Sequence, residues 1–269
     1  MPRTATRTKD APREVAEVAG AGENARIQLD VSHLITEDDT PVDNMFSEKQ
    51  QRLLTEPLYS SWHPVLKRKP RKFLAAANVG LFPSINKQAI VPDAFLSLDV
   101  SVPENWYAKE GRSYFFWEYG KAPELVIEVV SNRKGGEITR KLEKYARCGI
   151  AYYAVYDPTH QLGKQTLRLY ELRGRTYVQR TQRWFADLGL GLTLWEGVYE
   201  DKAETWLRWC DEQGQVIPTG AERADQASAR AEHEAQRADQ AVQRATETVA
   251  RNHALAAKLR ELGIDPDQL

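Results

Sequence analysis

The sequence predicts an α/β domain built on a mixed sheet, followed by a long helical tail. Three observations carry this. Apolar segments follow one another in the order helix, strands, helix, strand, hairpin, which suits a sheet with helices packed on it. The run Leu125–Val130 is apolar on both faces except for Glu128. From Ala221 to Leu262 there is no Gly or Pro, and Ala, Glu, Arg and Gln dominate. All tryptophans, tyrosines and phenylalanines fall between Phe46 and Trp209, so the core lies within those limits. The expected division is a poorly ordered segment at 1–40, the α/β domain at 41–220 and the tail at 221–269.

Taken in order, Asp43-Asn44 precede a helical stretch from Met45 that Pro57 stops, with Glu48 in its first turns. The basic run Lys67–Lys72 leads into a strand at Phe73–Asn78, and a second strand occupies Pro92–Leu98. Residues 101–120 read as a loop or hairpin rich in aromatics, more a packing feature than a base-stacking platform. Leu125–Val130 is the most diagnostic strand. Glu137–Cys148 is helical and Gly149 ends it. Ala151–Tyr156 is another buried strand, closed by Asp157-Pro158, and Leu167–Leu172 with Thr176–Gln179 form a hairpin around Gly174.

In the tail, Ala224, Ala231, Ala238 and Ala245 recur every seven residues. Ser228, Ala235, Val242, Val249 and Ala256 form a second series offset by four. This is a heptad seam of coiled-coil type. It is thin, because alanine buries little area. A homo-oligomer joined through the tail and a solvated single helix are both open readings.

Composition excludes several classes. A chain of 269 residues with 42% hydrophobic and 28% charged residues has material for one core and an appendage. Its net charge of −1 makes any nucleic-acid surface a local patch. Cys148 and Cys210 form neither a disulfide framework nor a metal cluster. No apolar stretch is long enough to cross a bilayer and the first residues lack a secretion signal, so no membrane partner and a cytoplasmic location are expected.

The chemistry centres on Glu128. Leu125, Ile127 and Val129 share one face of the strand; Val126, Glu128 and Val130 share the other. A strand apolar on both faces is covered on both sides. An uncompensated carboxylate there costs on the order of 3–5 kcal/mol, so Glu128 requires a cation, either a metal ion or a basic side chain. On the following helix, Ile138, Leu142 and Tyr145 mark the core-facing stripe. Lys141 sits at its edge, either reaching the sheet or snorkelling to solvent. Asp93, after Pro92, is either a turn residue or a second acid beside Glu128. An Asp and a Glu on neighbouring strands make a hard, all-oxygen site suited to Mg²⁺ or Mn²⁺.

Together, Pro92-Asp93, Glu128 within an apolar strand and a following lysine resemble the PD-(D/E)XK nuclease superfamily. More closely, the chain resembles the Uma-two-type endonucleases of prokaryotes. The likeness runs through 91–96, Ser113-Tyr114, Trp117-Glu118, 125–131, 141–150, Tyr152, Asp157-Pro158 and Gly189-Leu190-Gly191-Leu192, covering roughly residues 40–220. It implies a restriction-endonuclease-like core and a magnesium-dependent hydrolase that cuts phosphodiester bonds, with DNA as the expected partner and RNA the variant. It implies Asp93 and Glu128 as metal-binding carboxylates, with the main-chain carbonyl of Val129. Glu48 is a possible outer acid, and Tyr145 lies beside the site. The sequence departs from the motif two residues after Glu128, where Val130 replaces lysine. Lys141 is the expected substitute, with Lys134 and Arg133 as rivals. The alternative function is a catalytically inactive nucleic-acid-binding or scaffolding protein that retains the fold and recruits partners through its tail.

Overall fold

The computed structural model describes residues 44–66, 69–84, 87–102, 104, 107, 111–133 and 135–263. The readings made for 1–40, for Lys67-Arg68 and for Lys134 lie outside the described residues.

Helix α1 (Met45–Ser61) begins where Asn44 accepts the Ser47 N–H at 2.8 Å. That bond satisfies one orphan donor of the first turn. Pro57 does not stop the helix, contrary to the sequence reading. Proline in a helix interior removes one backbone bond and crowds the preceding turn. Here the loss is offset by tertiary contacts. Leu53, Leu54, Pro57 and Leu58 are all buried. The Gln50 amide exchanges two hydrogen bonds with the main chain of Leu207, at 2.8 and 3.0 Å. Trp209 Nε1 donates to the Leu54 carbonyl at 2.8 Å.

Short strands β1 (Val65–Leu66) and β2 (Lys69–Pro70) form a hairpin. They are followed by β3 (Phe73–Ala77), β4 (Leu81–Phe82) and β5 (Ala94–Leu98). The described end of the segment read as an aromatic loop or hairpin holds β6 (Tyr114–Phe115) and the single-turn α2 (Phe116–Tyr119). β6 pairs in parallel with β4, a partner far back in the chain. The aromatics pack against each other, with Tyr114 stacked on Tyr119 at 4.1 Å.

Then come β7 (Leu125–Val129), a π-helical turn (Glu137–Lys141), α3 (Leu142–Arg147), β8 (Tyr152–Tyr156), β9 (Leu167–Arg173) and β10 (Thr176–Arg180). The central sheet has the order β10-β9-β8-β7-β5-β3. Only β7 and β8 run parallel, which is why a helical crossover lies between them. The other pairs are antiparallel.

The sheet is covered on both faces, as the pattern of β7 requires. Leu125, Ile127 and Val129 pack with Leu54 and Leu58 of α1 and with Leu190, Leu207 and Trp209. The last three belong to a three-stranded sheet of β11 (Trp184–Phe185), β12 (Leu190–Tyr199) and β13 (Lys202–Cys210). The sequence reading assigned no strand to 202–210. Five consecutive residues, Trp206 to Cys210, are buried there, and the fully enclosed Arg208 interrupts the apolar pattern. Val126 and Val130 face the other way, against Tyr145, Tyr153 and Tyr114. Each fully buried aliphatic side chain of β7 contributes roughly 1.5–3 kcal/mol.

Helix α4 (Gly220–Glu261) starts with a capping box between Thr219 and Glu222. Its first turn is tied to the domain. Arg208 donates to Glu222 Oε2 at 2.7 Å, Gly220 N–H to Glu56 at 2.9 Å, and Arg223 to the Ser60 carbonyl. Beyond that turn, α4 has no buried residue.

The Arg208–Glu222 pair ties the first turn of α4 to the α/β domain. A chain truncated after Gly220 loses Glu222 and strands a buried guanidinium. We expect its free energy of unfolding to fall by roughly 2–3 kcal/mol, below the range for a fully enclosed pair because Glu222 is partly exposed. A chain ending at Gln226 should keep wild-type stability in urea. Equal stability of the two truncations would show that the pair contributes nothing.

Candidate active site

The register of β5 against β7 pairs Ala94 with Ile127 and so brings Asp93 opposite Glu128, one step beyond the last paired residues. Asp93 Oδ2 accepts the Val129 N–H at 2.7 Å and Oδ1 accepts Gln51 Nε2 at 3.1 Å. Gln51 is itself braced by Asn78, which donates to its carbonyl oxygen at 3.0 Å. Asp93 is thus aimed from three elements: β7, α1 and the end of β3.

Glu128 is 1% exposed. Its Oε2 accepts Lys141 Nζ at 2.8 Å and its Oε1 accepts the Tyr145 hydroxyl at 2.5 Å. Lys141 and Tyr145 are one helical turn apart, so a single helix face grips both oxygens. The turn is a π-helical one: Lys141 N–H reaches the Gly136 carbonyl at 3.0 Å, five residues back. Such single wide turns favour functional sites. The wide turn shifts the helix phase. Glu137 takes a buried place, at 5% exposure, while Ile138, expected in the core-facing stripe, is 37% exposed.

Glu137 was not singled out by the sequence. Its Oε1 lies 3.8 Å from Lys141 Nζ, and its Oε2 is buried without a hydrogen-bond partner. Gly135 makes room for it, since a Cβ there would stand 1.8 Å from Glu137 Oε1. Gly136 has φ +74, a left-handed conformation that glycine adopts without steric cost. The pair Gly135-Gly136 followed by an acid four residues before Lys141 is the signal from which Glu137 could have been found.

The remaining expected residues fall elsewhere. Glu48 does not join the group; its side chain is half exposed and pairs with Arg52, which also binds Glu200 at 2.7 Å. Gln51, one turn along the same helix, occupies the place nearest Asp93. Arg133 is exposed.

Three carboxyl groups, Asp93, Glu128 and Glu137, therefore surround one ammonium. Burial pushes the Glu128 carboxyl up to about 8; Lys141 opposes this and Asp93 reinforces it. Asp93 is raised too, chiefly by burial, although the Val129 N–H opposes it. Burial disfavours charged Lys141, yet Glu128, Glu137 and Asp93 outweigh that and raise it. Tyr145 is raised well above the phenolic range by burial and by Glu128, so it remains a donor. Among the described residues, the cluster is short of positive charge.

A divalent cation fits that shortage. Asp93 and Glu128 offer hard oxygen donors side by side, and the Val129 backbone lies against Asp93. Among the described residues, no three His, Cys, Asp or Glu side chains form a ready metal cage. Two carboxylates completed by a carbonyl and water suit Mg²⁺ better than an ion that needs many protein ligands.

A mixed sheet with a single parallel crossover, helices on it and paired acids at adjoining strand ends defines a restriction-endonuclease-like α/β protein. The family model described as "Uma2: Putative restriction endonuclease" matches residues 12–195. The chain belongs to the Uma2 family. No match was found among curated proteins. No helix of the described residues is long and apolar enough to cross a membrane.

The raised Glu128 carboxyl has a consequence for stability. An unfolded Glu loses its proton near 4.5, whereas the folded group holds it to about 8. Between those values the native state binds the extra proton, so stability is greatest below the lower one and falls as pH rises toward the upper one. Chelator-treated protein should melt progressively lower from about pH 5 to about pH 8, and Glu128→Gln should flatten that slope. Calorimetric melting at several pH values reads it; equal slopes would mean that Glu128 is ionised throughout.

Proposed function

We propose that the chain is a metal-dependent endonuclease that hydrolyses phosphodiester bonds, with DNA as substrate, at Asp93, Glu128 and Lys141. The observation that carries this reading is the meeting of buried Glu128 and half-buried Asp93, from adjoining strand ends, with a lysine delivered by the crossover helix. Asp93, Glu128 and the Val129 carbonyl would hold Mg²⁺ or Mn²⁺. When bound, that ion supplies polarisation of a phosphoryl oxygen and a water of lowered pKa.

The chain's own residues do the rest. Gln51 and the Val129 N–H hold the Asp93 carboxylate in one orientation, so little reorganisation is needed at the moment of reaction. Tyr145 fixes Glu128 through Oε1. Lys141, partly exposed at 27% on its side chain, can turn from Glu128 to an incoming phosphate or water. Its ammonium then offsets charge on the scissile group or orients the attacking water. Glu137 stands 3.8 Å from the same ammonium and restrains that movement. In this reading the domain responsible is 41–220 together with the first turn of α4.

The test is metal titration by calorimetry on wild type and on Asp93→Asn/Glu128→Gln, followed by plasmid nicking with the same samples. Wild type should bind Mg²⁺ or Mn²⁺ and nick; the double variant should do neither, with at least a hundredfold loss of rate. Lys141→Met should keep metal binding and lose nicking. Absence of metal binding by wild type would replace the enzyme with a protein that kept the fold for binding or scaffolding.

A further inference from the structure

Helix α4 extends 42 residues, about 63 Å at 1.5 Å per residue. Its first turn is joined to the domain through Gly220, Glu222 and Arg223. Farther along, Val242 is 66% exposed, Val249 55% and Leu255 51%. The two heptad series fall on one stripe of this helix. In coiled-coil terms, Ser228, Ala235, Val242, Val249 and Ala256 take the a positions; Ala224, Ala231, Ala238, Ala245, Asn252 and Leu259 take the d positions.

We infer that this stripe is covered by α4 of a second copy of the chain, running antiparallel, with the twofold axis between Gln243 and Arg244. The orientation follows from size and from charge. In a parallel pair each seam residue meets itself. Val242 would then face the partner's Val242 and Ala245 the partner's Ala245, so wide and narrow layers alternate and no single helix separation packs both.

Antiparallel pairing sets each large residue against a small one. Val242 meets the partner's Ala245, Val249 the partner's Ala238, and Leu259 the partner's Ser228. Asn252 lies opposite the partner's Ala235, which leaves its amide within reach of water.

The flanking charges agree. The parallel arrangement sets Glu234 against the partner's Asp239, a like-charge contact repeated by symmetry. The antiparallel one sets Asp225 beside the partner's Arg260 and Glu232 beside the partner's His253. Each helix then covers its partner up to the turn anchored by Arg208 and no farther. The two α/β domains come to lie at opposite ends of a rod roughly 60 Å long, with their candidate sites apart rather than shared. The inference is independent of the chemistry proposed above.

Cysteine pairing in the full chain tests it. Ala231→Cys and Ala256→Cys are made singly, oxidised alone and as a mixture, and compared with wild type to discount Cys148 and Cys210. The antiparallel dimer brings position 231 against the partner's position 256 and leaves like positions about 37 Å apart, from 25 residues of rise. The expected result is a disulfide-linked dimer in the mixture and none from either variant alone, with light scattering of wild type at twice the chain mass. Cross-linking of each variant with itself would overturn the orientation. A monomeric mass without cross-linking would overturn the pairing.

Discussion

The structure is organised around the burial of one carboxylate. Glu128 sits in the middle of a sheet covered on both faces, where an unpaired charge costs on the order of 3–5 kcal/mol. Each nearby departure from regular structure serves that group. The π-helical turn brings Lys141 to one of its oxygens and Tyr145 to the other. The parallel crossover from β7 to β8 places the start of that helix over the strand end where Glu128 lies. The β5 register sets Asp93 beside it, and the Val129 N–H turns the Asp93 carboxylate into position. Among the described residues these contacts compensate the charge incompletely, since three acids share one ammonium. A site left short of positive charge is one that a cation can stabilise.

A second buried charge ties the tail to the domain. Arg208 is fully enclosed, over the Trp195 ring at 4.9 Å, and its carboxylate partner comes from the first turn of the tail. Domain and tail are thus joined within the first turn of α4, by this pair and by hydrogen bonds of Gly220 and Arg223 to α1. This accounts for a 42-residue helix that buries no side chain of its own.

Much of the sheet was legible in the sequence because strand periodicity is short and local. The two-faced pattern of Leu125–Val130 correctly implied cover on both sides, and its one acid correctly implied a neighbouring cation. Helix features were read less well. Pro57 reads as a stop because local rules omit the Gln50, Leu54 and Trp209 contacts that hold the helix on course. Ile138 reads as a core residue because a uniform 100° per residue does not anticipate a wider first turn. β13 was missed because Arg208 breaks an otherwise apolar run, and only the fold shows it to be paired with Glu222.

By itself, the sequence determined the strand class, the need to neutralise Glu128 and the seven-residue rhythm of the tail. These depend on spacing within one element, which the chain states directly. Tertiary structure alone decided that Lys141 is the cation at Glu128, that Gln51 rather than Glu48 attends Asp93, and that Glu137 is buried beside the same lysine. Those outcomes depend on the phase and approach of one element against another. Spacing within a helix cannot set that phase; packing across the sheet does.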